Sequence, residues 1–139
     1  MEIREYVKHD LQLEEVEVVE IQMKKNCNYQ GDDTEIQMPV IIEVKGNVIN
    51  SQAGYSWIKV TAGNESGPFE IEVQQRGKFT TEKTLDEKTF ERFLEVQGIK
   101  ILWSYVRQTI FDITAKTGLT PYMLPTLDVV ATLNKNIKE

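Results

Sequence analysis

Residues 99–125, IKILWSYVRQTIFDITAKTGLTPYMLP, restrict the fold of this chain more than any other stretch. Apolar residues fall at Ile99, Leu102, Val106, Ile110 and Ile113, and steps of three and four place them on one stripe of a long helix over 99–117. A second apolar set, Ile101, Trp103, Tyr105, Phe111 and Ala115, lies off that stripe. One buried face needs only the first set. The second makes this either a broad core helix or a helix covered on its far side by a subunit interface. Gly118 follows Lys116 and Thr117, as expected where a helix ends in a left-handed residue. Pro121 and Pro125 cannot donate backbone hydrogen bonds and bias their predecessors away from helix, so the chain leaves as an extended arm.

Strands dominate the chain before that helix. Residues 11–25 alternate apolar and charged, but Leu11 and Leu13 share one parity, Val16 and Val18 the other, and Val19, Ile21 and Met23 switch back. A period of two cannot keep all three groups on one face. The pattern predicts one long strand bulged near Glu14–Glu15 or Val18–Val19, or two shorter strands. Residues 26–35 read as a polar loop, and its acids Asp32, Asp33 and Glu35 do not have the spacing of a calcium loop. In 36–49, Ile36, Met38, Val40, Ile42 and Val44 share a face, and Pro39 marks an edge or a strand beginning. A turn spans Asn50 to Gly54. Residues 55–62 form a third strand, with Tyr55 and Trp57 opposite Ile58 and Val60, and GNESGP at 63–68 is a turn. In 69–75, Phe69, Ile71 and Val73 point inward and Glu70, Glu72 and Gln74 outward. Strands that precede any helix imply an α+β fold with an antiparallel sheet. Thr84 and Glu87 fit a capping box for a helix carrying Phe90, Phe93 and Leu94, and Gly98 is expected to stop it. Asp128 caps a short amphipathic tail helix with Val129, Val130, Leu133 and Ile137 on one face.

A net charge of −6 and a pI near 4.9 argue against nucleic acid as the main partner. At 139 residues the chain makes one domain, or one domain with a small appendage. Cys27 is its one cysteine, which excludes an internal disulfide framework and fits a cytoplasmic chain. MEIREYVKHD at 1–10 does not read as a signal peptide, and no apolar run is long enough for membrane insertion. His9 and Cys27 lie too far apart for a dedicated zinc set, so no metal and no cofactor is expected. No nucleophile elbow, phosphate loop, HExxH or CxxC occurs, and no catalytic residue is assigned: the pattern belongs to a binding protein more than to an enzyme. The two-faced helix, the proline arm and the amphipathic tail each need cover, and an apolar groove of that kind takes extended peptide.

Three blocks then become familiar. Phe69-x-x-Glu72-Val73-Gln74-Gln75-x-Gly77-x-Phe79 resembles a strand of the SecB family of protein-export chaperones. Ile101-Leu102-x-x-Tyr105-x-Arg107 is similar to the start of that family's long helix, and Gly118-x-x-Pro121-x-x-Leu124-Pro125 to its arm before the final helix. The blocks occur in the family's order and cover about residues 69–130. The resemblance implies a single SecB-like domain over 1–139, with a four-stranded antiparallel sheet, a long helix and a short C-terminal helix. It implies a homo-tetramer built as a dimer of dimers, with Trp103, Tyr105, Arg107 and Phe111 at the oligomer interface. It implies ATP-independent binding of unfolded polypeptide clients, kept competent for export, in a groove lined by Tyr122, Leu124, Leu127, Val130 and Leu133. Glu72 matches an acidic position through which the export branch docks the motor ATPase SecA, whereas Glu70 stands where that branch usually has an apolar residue. Other members of the family serve one antitoxin of a toxin–antitoxin system, which is the runner-up reading. A small-ligand binding protein, with a curved sheet wrapping a helix around one enclosed pocket, is the third.

Overall fold

The computed structural model describes residues 1–31 and 38–135. Ile36, the acids Asp32, Asp33 and Glu35, and Ile137 lie outside the described residues. Among those described, four strands form one antiparallel sheet in the order β1-β4-β3-β2: β1 Leu11–Lys25, β2 Val40–Asn50, β3 Ala53–Gly63 and β4 Phe69–Thr81. Of the two central strands, β4 alternates strictly between buried and half-buried residues and β3 does so as far as Ala62, as a sheet covered on one face requires. The inward run of β4 begins with Phe69, Ile71 and Val73 and continues past the predicted end through Gln75, Gly77, Phe79 and Thr81. Likewise β3 starts two residues earlier than expected, so the turn before it is confined to Ser51–Gln52. Pro39 does stand just before a strand.

The parity switches of β1 resolve as bulges. Its register against β4 shifts between Leu13 and Glu15, and again between Val18 and Glu20. The two shifts set Leu13, Val16, Val18, Ile21 and Met23 opposite Phe79, Gly77, Gln75, Val73 and Ile71, all on the inward face of β4. Directly opposed residues share a face, so two extra residues bring three parity groups to one side.

The helical half differs from expectation at two places. The first helix, α1, runs from Glu87 to Phe93, and its N-cap is Asp86, not Thr84. The Asp86 carboxylate accepts the Thr89 backbone N–H at 3.2 Å, and its hydrogen bonds to the Thr89 hydroxyl and N–H hold it below the usual aspartate range. Gly98 does not stop this helix. A π-helical turn, Leu94–Gly98, carries it directly into α2, Ile99–Lys116. Gly98 is helical and sits against β3: a Cβ on it would lie 2.0 Å from Ser56 Oγ. Ser56 Oγ in turn donates to the Leu94 carbonyl at 2.7 Å, inside the π turn. The glycine therefore sets how closely the helix approaches the sheet. At the other end α2 does stop as predicted, with Gly118 at φ +79°.

Ile99, Leu102, Val106 and Ile110 of α2 are buried with Ile58, Val60, Ile71, Val73 and Phe79 of the sheet. Gln75, 3% exposed among them, accepts a hydrogen bond from Thr109 Oγ1 at 3.0 Å. Every buried side-chain N or O among the described residues has a partner. Helix α3, Val129–Lys135, follows the arm, and Asp128 Oδ1 accepts from the Ala131 N–H at 3.0 Å, the cap expected from the sequence.

Candidate functional site

The arm after Gly118 turns back along α2 and is fixed to it at three points. Thr114 Oγ1 accepts the Tyr122 N–H at 2.8 Å, Arg107 Nε donates to the Leu124 carbonyl at 2.9 Å, and Trp103 Nε1 donates to the Pro125 carbonyl at 3.0 Å. Helix residues 103, 107 and 114 are spaced by four and seven, so they share one stripe. Their partners come in reverse order, which makes the arm antiparallel to the helix. Pro121 and Pro125 keep this segment extended, leaving its carbonyls free to accept side-chain donors.

This arrangement divides the second apolar set of α2. Trp103 is 5% exposed, and both it and Arg107 are engaged by the arm of their own chain. Tyr105 is 41% exposed and Phe111 is half-buried. The predicted groove residues also separate. Leu124 is fully buried and completes the core together with Val129. Tyr122 is half-buried, and its ring meets Phe69 edge-on with centroids 5.9 Å apart. Burial pushes its phenol above the usual tyrosine range. Leu127 and Leu133 pack half-buried against the core, and Val130 is 43% exposed. What remains at the surface of the arm and α3 is apolar: Met123 and Val130 exposed, and Tyr122, Leu127 and Leu133 half-buried against the core.

Sequence reasoning missed several contributors to exposed apolar surface, Met123, Val18 and Ile21 among them. Met123 alternates outward between the inward Tyr122 and Leu124, a period-two signal that could have found it. Val18 and Ile21 of β1 face the helix side of the sheet yet stay 44% and 40% exposed, because α2 packs over β4 and β3 and not over β1. The parity switches held that signal once read as bulges.

Glu72 lies on the opposite, outer face of the sheet. Lys59 Nζ is 2.7 Å from its Oε1 and 3.8 Å from Glu43. The hydrogen bond and charge of Glu72 hold the Lys59 ammonium above the usual lysine range. Nearby, the Arg76 guanidinium stands 4.8 Å from the Tyr55 ring centre and 5.0 Å from that of Trp57, and pairs with Glu17. Glu72, Glu43 and Glu17 on this face are therefore each matched by a cation. At the N-terminal end of β1, His9 Nδ1 accepts the Leu11 N–H at 2.9 Å and its ring lies 5.7 Å from that of Phe93, a structural role for the one histidine. Among the described residues no group of three or more His, Cys, Asp and Glu could hold a metal ion, and no helix is long and apolar enough to cross a membrane.

Comparison with known proteins agrees with this architecture. Residues 3–139 match the family model described as preprotein translocase subunit SecB. An uncharacterised protein of Methanocaldococcus jannaschii is 32% identical over 114 residues, which span 77% of this chain and 72% of that protein. The protein-export protein SecB of Cereibacter sphaeroides is 31% identical over 111 residues, 73% of this chain and 65% of that protein, just under two thirds of its length. Among solved structures, a SecB-like chaperone of Mycobacterium tuberculosis, in complex with a ChAD peptide from the HigA1 antitoxin, aligns with a TM-score of 0.73 at 15% identity. That alignment covers 85% of this chain and 91% of the other, and establishes the shared fold. With its antiparallel sheet, continuous helix and proline arm matched over nearly its whole length, the chain belongs to the SecB family.

Proposed function

We propose that this protein is an ATP-independent chaperone that binds unfolded polypeptide through the apolar strip of its arm and final helix. The observation that carries this reading is the strip itself: Met123 and Val130 exposed, with Tyr122, Leu127 and Leu133 half-buried beside them. A holdase does no bond chemistry. It offers apolar area to many sequences, at roughly 25 cal/mol per Å² buried. Ordering a flexible client opposes that gain, and several weak subsites along one chain restore it through effective concentration. Leu124 fits this account as the buried anchor of the strip rather than as a direct client contact.

The finer parts of the proposal are a homo-tetramer built as a dimer of dimers, and export clients held in the cytoplasm. Tyr105 and Phe111, with apolar surface left uncovered in the single chain, would contribute to the subunit contact. Docking of SecA through Glu72 would require a basic group of the motor to replace Lys59. The second reading, a chaperone dedicated to one antitoxin, is favoured by the Mycobacterium relative of the same fold, which is solved with an antitoxin peptide.

Val130→Asp and Leu133→Asp test the strip. Each puts a charge where a client would bury apolar surface, and each is expected to weaken client affinity by about tenfold or more. Val130 is exposed, so its variant is expected to keep the wild-type circular dichroism and melting temperature. Titration of a fluorescent unfolded client reads the affinity. Wild-type binding by both variants would remove the arm and α3 from the client site.

A further inference from the structure

A second cleft lies between α1, the π turn and the end of β4, and none of its lining residues belongs to the arm or α3. It is a shallow depression of about 660 Å³, open along one side to solvent as a peptide-docking surface is. Its floor is apolar, formed by Leu85, Phe93 and Val96, each half-buried. Its rim is cationic, with Lys83 on one wall and Lys88 and Arg92 on α1. Asp10, paired to Lys83 at 2.8 Å, is the one carboxylate among the lining residues. Helix α1 sorts its charges: Lys88 and Arg92 face the cleft, whereas Glu87 and Glu91 do not line it. Lys88 has no carboxylate partner among the described residues, and Arg92 reaches only Glu95, at 3.8 Å. A cationic rim of this kind runs against the net charge of −6 of the whole chain.

We propose that this cleft docks an acidic peptide segment with an apolar anchor, of the form acid–aromatic–acid. Charge complementarity selects the acids and the apolar floor selects the anchor. The spacing favours an extended peptide. Lys88 and Arg92 are one helical turn apart, a rise of about 6 Å. Residues i and i+2 of an extended chain are separated by about 6.6 Å and point the same way. Two carboxylates at alternate positions therefore match the spacing of the two cations, and an apolar side chain of the same segment takes the floor. This goes beyond client binding through the arm and does not depend on it.

The test is fluorescence anisotropy of the full chain with a short labelled peptide carrying Glu-Phe-Glu, beside the matched Lys-Phe-Lys peptide. The acidic peptide is expected to bind, to weaken as salt rises, and to lose about tenfold or more in affinity in Lys88→Glu/Arg92→Glu. Phe93→Leu, which keeps the floor apolar but reshapes it, is expected to weaken binding without altering the salt dependence. Lys88→Gln/Arg92→Gln serves as the milder variant should charge reversal disturb folding, and is expected to weaken binding in the same direction. Equal binding of the two peptides, or acidic-peptide binding unchanged in both double variants, would overturn the proposal. Loss of acidic-peptide binding in Val130→Asp alone would assign it to the client strip and also overturn it. Displacement of the peptide by laurate more readily than by unlabelled peptide, or self-association abolished by the charge reversal, would assign the cleft to an acyl anion or a second copy instead. Client titration of the same double variants keeps the two sites distinct, since wild-type client affinity is expected there.

Discussion

Trp103→Ala is expected to cost about 3–5 kcal/mol and to release the proline arm from α2. The indole is 5% exposed and holds the Pro125 carbonyl, so its loss removes both packing and a hydrogen bond. The release is what separates this from an ordinary core truncation. Limited proteolysis is expected to cut within residues 119–127 faster than in wild type, under conditions where the sheet stays intact. Client affinity is expected to fall with it, because the strip that includes Met123 and Leu127 loses its backing. Arg107→Met isolates the polar part of the clamp. It strands the carbonyl of the fully buried Leu124, at a cost of about 1–3 kcal/mol. Trp103→Phe and Arg107→Met act on the same short segment, so their effects are expected to be non-additive in a double-mutant cycle. Strict additivity, or unchanged proteolysis in Trp103→Ala, would mean that the arm is not held by these donors.

Gly98→Val is expected to destabilise the protein by about 3 kcal/mol, lowering the melting temperature by roughly 10 °C. The position is helical, so backbone conformation does not demand glycine there. Space does. A Cβ would stand 2.0 Å from Ser56 Oγ and 2.9 Å from Ser56 Cβ, and Ser56 cannot swing away without giving up the Leu94 carbonyl. Gly98→Ala is a sharper test, because alanine raises helix propensity by about 1 kcal/mol and the two effects oppose each other. The clash is expected to win, and Ser56→Gly is expected to reverse the loss by opening the space. If Gly98→Ala alone melts at or above the wild-type temperature, the helix does not approach β3 this closely.

These two sites also show where local sequence patterns stop being informative. The inward faces of β3 and β4 were legible because burial on one side imposes a period of two, and nothing distant can change that. The parity switches of β1 announced bulges, but only pairing with β4 shows that both candidate positions are used and that they cooperate to align one face. A glycine in a helical pattern fits a stop and a close contact equally well. Ser56, far away in sequence, decides between them. The capping-box pattern pointed to Thr84, and the cap is instead Asp86, whose carboxylate accepts from the Thr89 N–H. Trp103 lies off the helix stripe and, with Arg107, was assigned by resemblance to an oligomer interface, whereas in the single chain both are engaged by the arm. That their cover is the arm of the same chain follows from its antiparallel return, which no spacing within 99–125 encodes. The exposed part of the strip was half legible: Val130 stands out, Met123 was overlooked, and Leu124 proved to be core.

Holding unfolded polypeptide without nucleotide is the function proposed for this chain. The most direct measurement is light scattering of a chemically unfolded, aggregation-prone polypeptide diluted into the purified protein in the absence of ATP. Scattering is expected to be suppressed as the protein approaches a stoichiometric ratio with the client, and Val130→Asp is expected to shift the suppression to higher protein concentration. Aggregation at an undiminished rate in a large excess of wild-type protein would contradict that function.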